Sequence, residues 1–189
     1  MLTKRQLVAP LRIGSLLALG TSLLAQTEGW RQIQTAHTPG DRALGAMAFD
    51  EARGQMVLFG GPSMSNDTWT YDGTDWQQRS PTRVPVGRDQ HCMAYDPIRQ
   101  RVLMYGGRQY LGTLDDTWEW TGSDWTQVGS GADSRLTAAM AFDPVRQQML
   151  RYGGTGPGGV NSETRAWNGS QWVLLTSGGP APREMVAIS

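Results

Sequence analysis

The sequence predicts an all-β protein assembled from copies of one four-stranded unit, because three kinds of marker recur at the same interval. Double glycines begin at positions 60, 106 and 153, which are 46 and 47 residues apart. Tryptophans at 30, 76, 125 and 172 and arginines at 42, 88, 135 and 183 recur at intervals of 46 to 49 residues. A fixed period in this range indicates a solenoid, a propeller or an array of supersecondary units.

Each copy contains four short segments with the alternating pattern of β-strands. In the first copy, the strands are predicted at 43–49, at 55–59, at 68–71 and from Trp76 onward. The same four segments follow in the second and third copies, where the double glycine again ends the second strand. We therefore expect each copy to form one antiparallel sheet.

The turns between these strands carry their own signals. The first turn starts with Asp and has Arg three residues later in every copy, as in Asp50 and Arg53, so we expect this pair to clamp the turn. The turn between the third and fourth strands carries Asp72-Gly73, Thr121-Gly122 or Asn168-Gly169. Asp-Gly and Asn-Gly are typical of tight hairpin turns.

The residues that recur in every copy are predicted to be structural. Glycine permits a close backbone approach or a positive φ, and a tryptophan fixed in each copy is expected to pack between neighbouring units. These residues are Gly60, Gly61, Gly106, Gly107, Gly153, Gly154, Trp69, Trp118, Trp167, Trp76, Trp125 and Trp172. The single cysteine, Cys92, replaces an alanine of the other copies and is expected to be a small core residue.

The first 25 residues differ from the rest of the chain. Lys4, Arg5 and Arg12 precede an apolar run of about twelve residues that ends in Leu-Leu-Ala, which is the three-part pattern of a cleaved signal peptide. An uncleaved anchor or a cytosolic amphipathic N-terminus is the alternative. The pattern predicts secretion or export to the periplasm, with residues 26–189 as the mature chain.

Charge excludes two classes of partner for the mature chain. Removing residues 1–25 leaves 14 basic and 17 acidic residues, a net charge of −3, and no lysine. A general nucleic-acid binder needs a basic surface, and a peripheral membrane protein needs a polybasic segment. We therefore expect neither nucleic acid nor, after cleavage, a membrane as partner.

The repeat resembles that of the kelch family of β-propellers, in its bacterial style. The strings MAFD, LFGG and TWxWxGxxW, which begin at residues 47, 58 and 117, carry the resemblance, and it covers about residues 30–189. It implies that each repeat is one four-stranded blade of a circular array, with blades at about 42–76, 88–125 and 135–172. The fold class expected is therefore an all-β, kelch-type propeller.

The number of blades departs from the family pattern. Trp30 matches only a fourth strand and Arg183 only the start of a first strand, so three complete blades are flanked by partial strands. Propellers close with 4–8 blades. The ring is therefore incomplete or open, and the chain is part of a longer propeller, a truncated product, or a protomer that completes its ring with another copy. Open blade edges predict self-association.

The loops after the double glycines differ most between copies, so they are the predicted binding surface. The repeated arginines Arg42, Arg88, Arg135 and Arg183 are expected to circle the channel mouth on the same side, where they would suit carboxylate or phosphate groups. The alternative is that they are structural and bond loop carbonyls. Tyr110 and His91 do not recur and are candidates for specificity.

The function expected is that of a secreted binding or scaffold module with an unidentified protein or carbohydrate ligand and no cofactor or metal. The resemblance leaves an enzyme open, either a copper-radical oxidase similar to galactose oxidase or a sugar mutarotase. The oxidase pattern requires two histidines with two tyrosines and a cysteine, whereas this chain has only His37, His91 and Cys92 without the expected spacing. No acid and base pair typical of a mutarotase stands out.

Overall fold

Three antiparallel four-stranded sheets follow one another along the chain in a computed structural model of the protein. The structure describes residues 32–131 and 133–181. The predicted signal peptide and the partial strands that begin at Trp30 and Arg183 therefore lie outside the described residues. Residues 34–181, apart from residue 132, belong to one compact unit.

Sheet 1 contains β1 (Ala46–Asp50), β2 (Gln55–Phe59), β3 (Thr68–Tyr71) and β4 (Trp76–Arg79), paired in chain order. A 3₁₀ turn at Pro62–Met64 lies between β2 and β3. The pairing is in regular register, with Ala46 opposite Phe59 and Asp50 opposite Gln55.

Sheet 2 begins with β5 (Cys92–Asp96) and β6 (Arg101–Tyr105). A short hairpin of β7 (Arg108–Gln109) and β8 (Gly112–Thr113) follows the double glycine. The sheet is completed by β9 (Thr117–Trp120) and β10 (Trp125–Gly129) in the same meander order.

Sheet 3 repeats this plan with β11 (Ala139–Asp143) and β12 (Gln148–Tyr152). The hairpin of β13 (Thr155–Gly156) and β14 (Gly159–Val160) stands where sheet 2 has its hairpin. The last two strands are β15 (Thr164–Trp167) and β16 (Trp172–Thr176).

The all-β class and the four-stranded repeat unit are thus confirmed, and no α-helix occurs among residues 32–131 and 133–181. The first strand is shorter than predicted, because Leu44 has a φ of 61° and interrupts the extended backbone. The same left-handed conformation recurs at Gln90 and Thr137, just before the first strand of the other two sheets. A strand pattern in the sequence does not reveal such a position.

The predicted clamp across the first turn is confirmed in all three sheets. Arg53 pairs with Asp50 at 2.9 Å, Arg99 with Asp96 at 2.7 Å and Arg146 with Asp143 at 2.9 Å. The two aspartates at positions 50 and 96 are fully buried, so the guanidinium group balances a charge that would otherwise be left without a partner.

The first strands of the three sheets are neighbours: β5 lies between β1 and β11. Two apolar cores fill the spaces between successive sheets. The first core contains Val57, Phe59, Met93, Met104 and Trp125, and the second contains Leu103, Tyr105, Met140, Met149 and Trp172.

A tryptophan anchors each core. The indole nitrogen of Trp125 donates to Thr68 Oγ1 of sheet 1 at 2.9 Å, and that of Trp172 donates to Thr117 Oγ1 of sheet 2 at 3.0 Å. Both indoles and both threonines are buried, so each bond satisfies polar groups that have no access to water. The same contact therefore joins sheet 2 to sheet 1 and sheet 3 to sheet 2.

Among the residues that the structure describes, no helix is long and apolar enough to cross a membrane.

Candidate functional site

The segments that follow the double glycines, residues 62–66, 108–115 and 155–163, are called here the loop face. Backbone bonds tie the second and third segments to the linkers that precede sheets 2 and 3. Asp89 and Arg108 exchange bonds of 3.1 and 2.8 Å, and Leu136 and Thr155 exchange bonds of 2.8 and 2.9 Å. These bonds hold the variable segments on a framework that the repeat supplies.

The first segment differs in conformation from the other two. The first is the short Pro62–Met64 turn, in which Ser63 and Met64 have φ values of 57° and 54°. Two successive left-handed residues other than glycine are unfavourable by about 1 kcal/mol or more each. The other two segments are hairpins with the same pairing, so sheet 1 differs from sheets 2 and 3 in the backbone that it presents to solvent.

The tip of the β7–β8 hairpin is the most exposed apolar feature of the loop face. Tyr110 is 78% exposed and Leu111 is 93% exposed. The Tyr110 hydroxyl donates to the carbonyl of Ser63 at 3.0 Å, so the tip of one segment rests on the strained turn of its neighbour. An aromatic ring is thereby oriented while its faces stay accessible.

The arginines at 42 and 88 are bound within the protein. Arg42 donates to both oxygens of Asp67 and to the carbonyls of Pro39 and Gly60. Arg88, which is fully buried, donates to both oxygens of Asp116 and to the carbonyls of Val86 and Gly106. The planar fork that suited a carboxylate ligand is thus occupied by an internal carboxylate, a geometry that favours the structural alternative.

The aspartates of these pairs are held in the ionised form. Burial raises the pKa of Asp67, but hydrogen bonds from Arg42, Ser65 and Trp69 outweigh it and lower the pKa to about 2. Burial likewise acts against ionisation of Asp116, yet the hydrogen bond and charge of Arg88 bring its pKa below the usual value.

Sheet 3 departs from this pattern. Arg135 donates to Asp133 at 2.8 Å and lies 3.8 Å from Glu163, which replaces the aspartate of the other sheets. Arg151 is buried, pairs with Asp133, and lies 4.5 Å from the ring centre of Tyr105. Arg165 donates to Glu163 at 3.0 Å. Three guanidinium groups thus share two carboxylates.

The charge of this cluster acts on Asp133. Burial raises the pKa of Asp133, but the charges of Arg151, Arg135 and Arg165 and the Arg135 hydrogen bond lower it below its usual value. The positions of Arg151 and Arg165 are apolar in the other sheets, where they carry Leu58 or Met104 and Trp69 or Trp118. The replacement of apolar residues by arginine at these two positions of the third copy is the sequence signal for this cluster.

His91 lies between sheets 1 and 2 and not on the surface. It is 7% exposed, and its ring meets that of Phe59 edge-on at 5.8 Å. Neither ring nitrogen makes a well-formed hydrogen bond within the described part of the chain. Burial, with the charge of Arg88 acting in the same direction, lowers the pKa of His91 to about 3. The histidine is therefore neutral and faces the interior.

Tyr110 is thus the one sequence-predicted site residue among Arg42, Arg88, Arg135, Tyr110 and His91 that projects into solvent. Arg183, the remaining candidate, lies outside the described residues. Leu111 joins Tyr110 at the tip, although sequence reasoning did not single it out, because an apolar residue in a loop carries no periodic signal.

Cys92 is buried, as predicted for a small core residue, and burial raises the pKa of its thiol to about 12. Within residues 32–131 and 133–181, no group of three His, Cys, Asp or Glu side chains is arranged to hold a metal ion.

Comparison with known proteins returned no family model that matches the chain and no match among curated proteins.

Proposed function

We propose that this chain is an exported segment of a kelch-type β-propeller that binds a protein or carbohydrate ligand through its loop face. Successive four-stranded sheets, neighbouring first strands and a repeated Trp–Thr contact between sheets support the propeller. The pattern of residues 1–25 supports export.

The observation that carries the binding proposal is the tip formed by Tyr110 and Leu111. Exposed tyrosine next to an exposed aliphatic residue is typical of binding surfaces, because a rigid ring contributes large contact area with little loss of conformational entropy. The hydroxyl bond to Ser63 orients the ring before a ligand arrives. Preorganisation of this kind lowers the entropy lost on binding.

The arginines contribute to this function by support and not by direct contact. Arg42 and Arg88 fasten the start of β3 and β9 to the end of β2 and β6, which are the ends from which the variable segments leave. The rigid framework is therefore the same in sheets 1 and 2, and the segments that it carries are free to differ.

The test is a screen of the full chain against a glycan array and a peptide library, followed by titration of any ligand found. A Tyr110→Ala, Leu111→Ser double variant is expected to weaken binding about tenfold or more, since central aromatic contacts dominate interfaces. A Leu174→Ser, Leu175→Ser variant on the exposed strand β16 is the matched control and should bind normally. Equal affinity of both variants would exclude the tip as the binding surface.

A further inference from the structure

We propose that two copies of this chain associate head to tail, with the open face of sheet 1 in one copy packed on the open face of sheet 3 in the other. The leading face is the side of sheet 1 that carries Met47, Phe49 and Trp76. The trailing face is the side of sheet 3 that carries Leu150 and Thr164, together with Ala141 and Tyr152.

The repeat shows that the leading face is built for contact. Met93 and Met140 hold the position of Met47 in sheets 2 and 3, and they are 8% and 7% exposed because the preceding sheet covers them. Met47 itself is 51% exposed. The same side chain at the same place is thus buried twice and open once, among the residues that the structure describes.

The trailing face of sheet 3 is likewise less covered than the corresponding face of sheet 2. Leu103 and Thr117 of sheet 2 are buried beneath sheet 3, with 0% and 1% exposed. Their counterparts, Leu150 and Thr164, are only partly buried. They line a mainly apolar cavity of about 340 Å³, which lies on the side of sheet 3 that corresponds to a covered side of sheet 2.

Trp76 of sheet 1 already has the ring arrangement of the tryptophan that anchors the contact between sheets 1 and 2. The rings of Tyr71 and Trp76 lie 5.2 Å apart in sheet 1, which matches the 5.3 Å between Trp120 and Trp125 in sheet 2. Since the Trp125 indole reaches a threonine of the preceding sheet, we expect the Trp76 indole to donate to Thr164 of the second copy. No rearrangement of the aromatic pair is needed.

Backbone hydrogen bonds between the residues that precede successive sheets also form a series that a second copy would extend. The N–H of Gln90 donates to the carbonyl of Leu44 at 2.8 Å, and the N–H of Thr137 donates to the carbonyl of Gln90 at 2.8 Å. The next bond in this series joins the N–H of Leu44 to the carbonyl of Thr137 in the second copy. The pair thus continues an interface that the chain already forms twice internally.

The geometry favours a closed pair. In a two-fold pair, each copy offers one leading and one trailing face, so the same contact forms twice. Two copies of three sheets give six sheets, which lies within the 4–8 that close a propeller. A second copy of this chain therefore fits both faces.

The experiment is light scattering coupled to size exclusion on the full chain over a wide dilution series. A discrete species of twice the chain mass is expected. A monomer at every concentration, or a ladder of larger species without a discrete dimer, would overturn the proposal.

Two variants test the orientation. Met47→Asp blocks the leading face and Leu150→Asp blocks the trailing face, and each is expected to raise the dissociation constant about tenfold or more. Mixing the two variants restores one good interface and should yield a mixed dimer. Val145→Asp, at an 87% exposed turn position, is the control and should stay dimeric. Loss of the dimer by Met47→Asp alone, with Leu150→Asp unaffected, would contradict head-to-tail packing; circular dichroism checks that each variant is folded.

Discussion

The buried histidine makes the stability of this protein sensitive to mild acid. His91 is neutral in the folded chain because its pKa is lowered from 6.5 to about 3 by burial and by the charge of Arg88. As the pH falls, the histidine of the unfolded chain takes up a proton before that of the folded chain does. The free energy of unfolding therefore keeps its full value well above pH 6.5 and decreases as the pH falls from 6.5 toward 3. Between pH 7.5 and pH 5, the expected loss is about 2 kcal/mol from this group alone.

The perturbation that tests this is His91→Ala. Sheet 3 carries Ala138 at the same position and sheet 1 carries Gly45, so the repeat accepts a small residue there. Removing the ring leaves a cavity beside Phe59 and should lower the free energy of unfolding at pH 7.5 by roughly 1–3 kcal/mol. The variant should, however, lose almost no further stability between pH 7.5 and pH 5.

The assay is urea denaturation followed by tryptophan fluorescence at several pH values in this range. His37→Ala removes the only other histidine in the sequence and is the control, which should still lose stability between pH 7.5 and pH 5. Despite their burial, the surrounding arginines leave Asp67, Asp116 and Asp133 with pKa values below the usual range, so these three carboxylates take up protons at lower pH than His91 does on unfolding. An equal slope in His91→Ala and the unmodified chain would refute the reasoning.

Three further substitutions test the framework by the same denaturation assay. Arg88→Met leaves the half-buried carboxylate of Asp116 without its partner, so we expect a loss of about 3–5 kcal/mol; a loss below about 1 kcal/mol would mean that the pair is not structural. Gln100→Gly replaces a residue with a φ of 54° by the glycine found at that turn position in sheet 1, and should stabilise the chain by about 0.5–1 kcal/mol, whereas destabilisation would contradict a left-handed conformation. Thr117→Val removes the acceptor of the Trp172 indole and should cost about 1–3 kcal/mol, while a neutral effect would show that the indole has another partner.

The regular parts of the fold were accessible from the sequence because each depends on local pattern. The strands follow from alternation, and the Asp–Arg turn clamp follows from two residues three positions apart, as at Asp50 and Arg53. The position of the first strand was less well predicted, since the backbone at Leu44 is left-handed and its carbonyl accepts a hydrogen bond from the N–H of Gln90, which precedes the next sheet. A tertiary contact of this kind leaves no mark on hydrophobic periodicity.

The candidate site was predictable only in outline. The copies differ most in sequence in the segments after the double glycines, and there the turn of sheet 1 also differs in backbone conformation from the hairpins of sheets 2 and 3. The role of Arg42 and Arg88 stayed open, because an arginine that recurs in every copy is compatible with both a ligand and an internal carboxylate. Asp67 and Asp116, which also occupy matching positions in two copies, were the sequence signal for an internal partner.

The loop face depends on the stacking of successive sheets through the Trp–Thr contact, and one measurement tests this stacking most directly. Hydrogen exchange of the indole N–H groups, resolved by NMR, compares Trp125 and Trp172 with a free indole. Both protons donate to buried threonines of the preceding sheet, so their exchange should be slowed roughly a thousandfold or more. Exchange of either proton within a few-fold of the free indole would contradict the stacked arrangement.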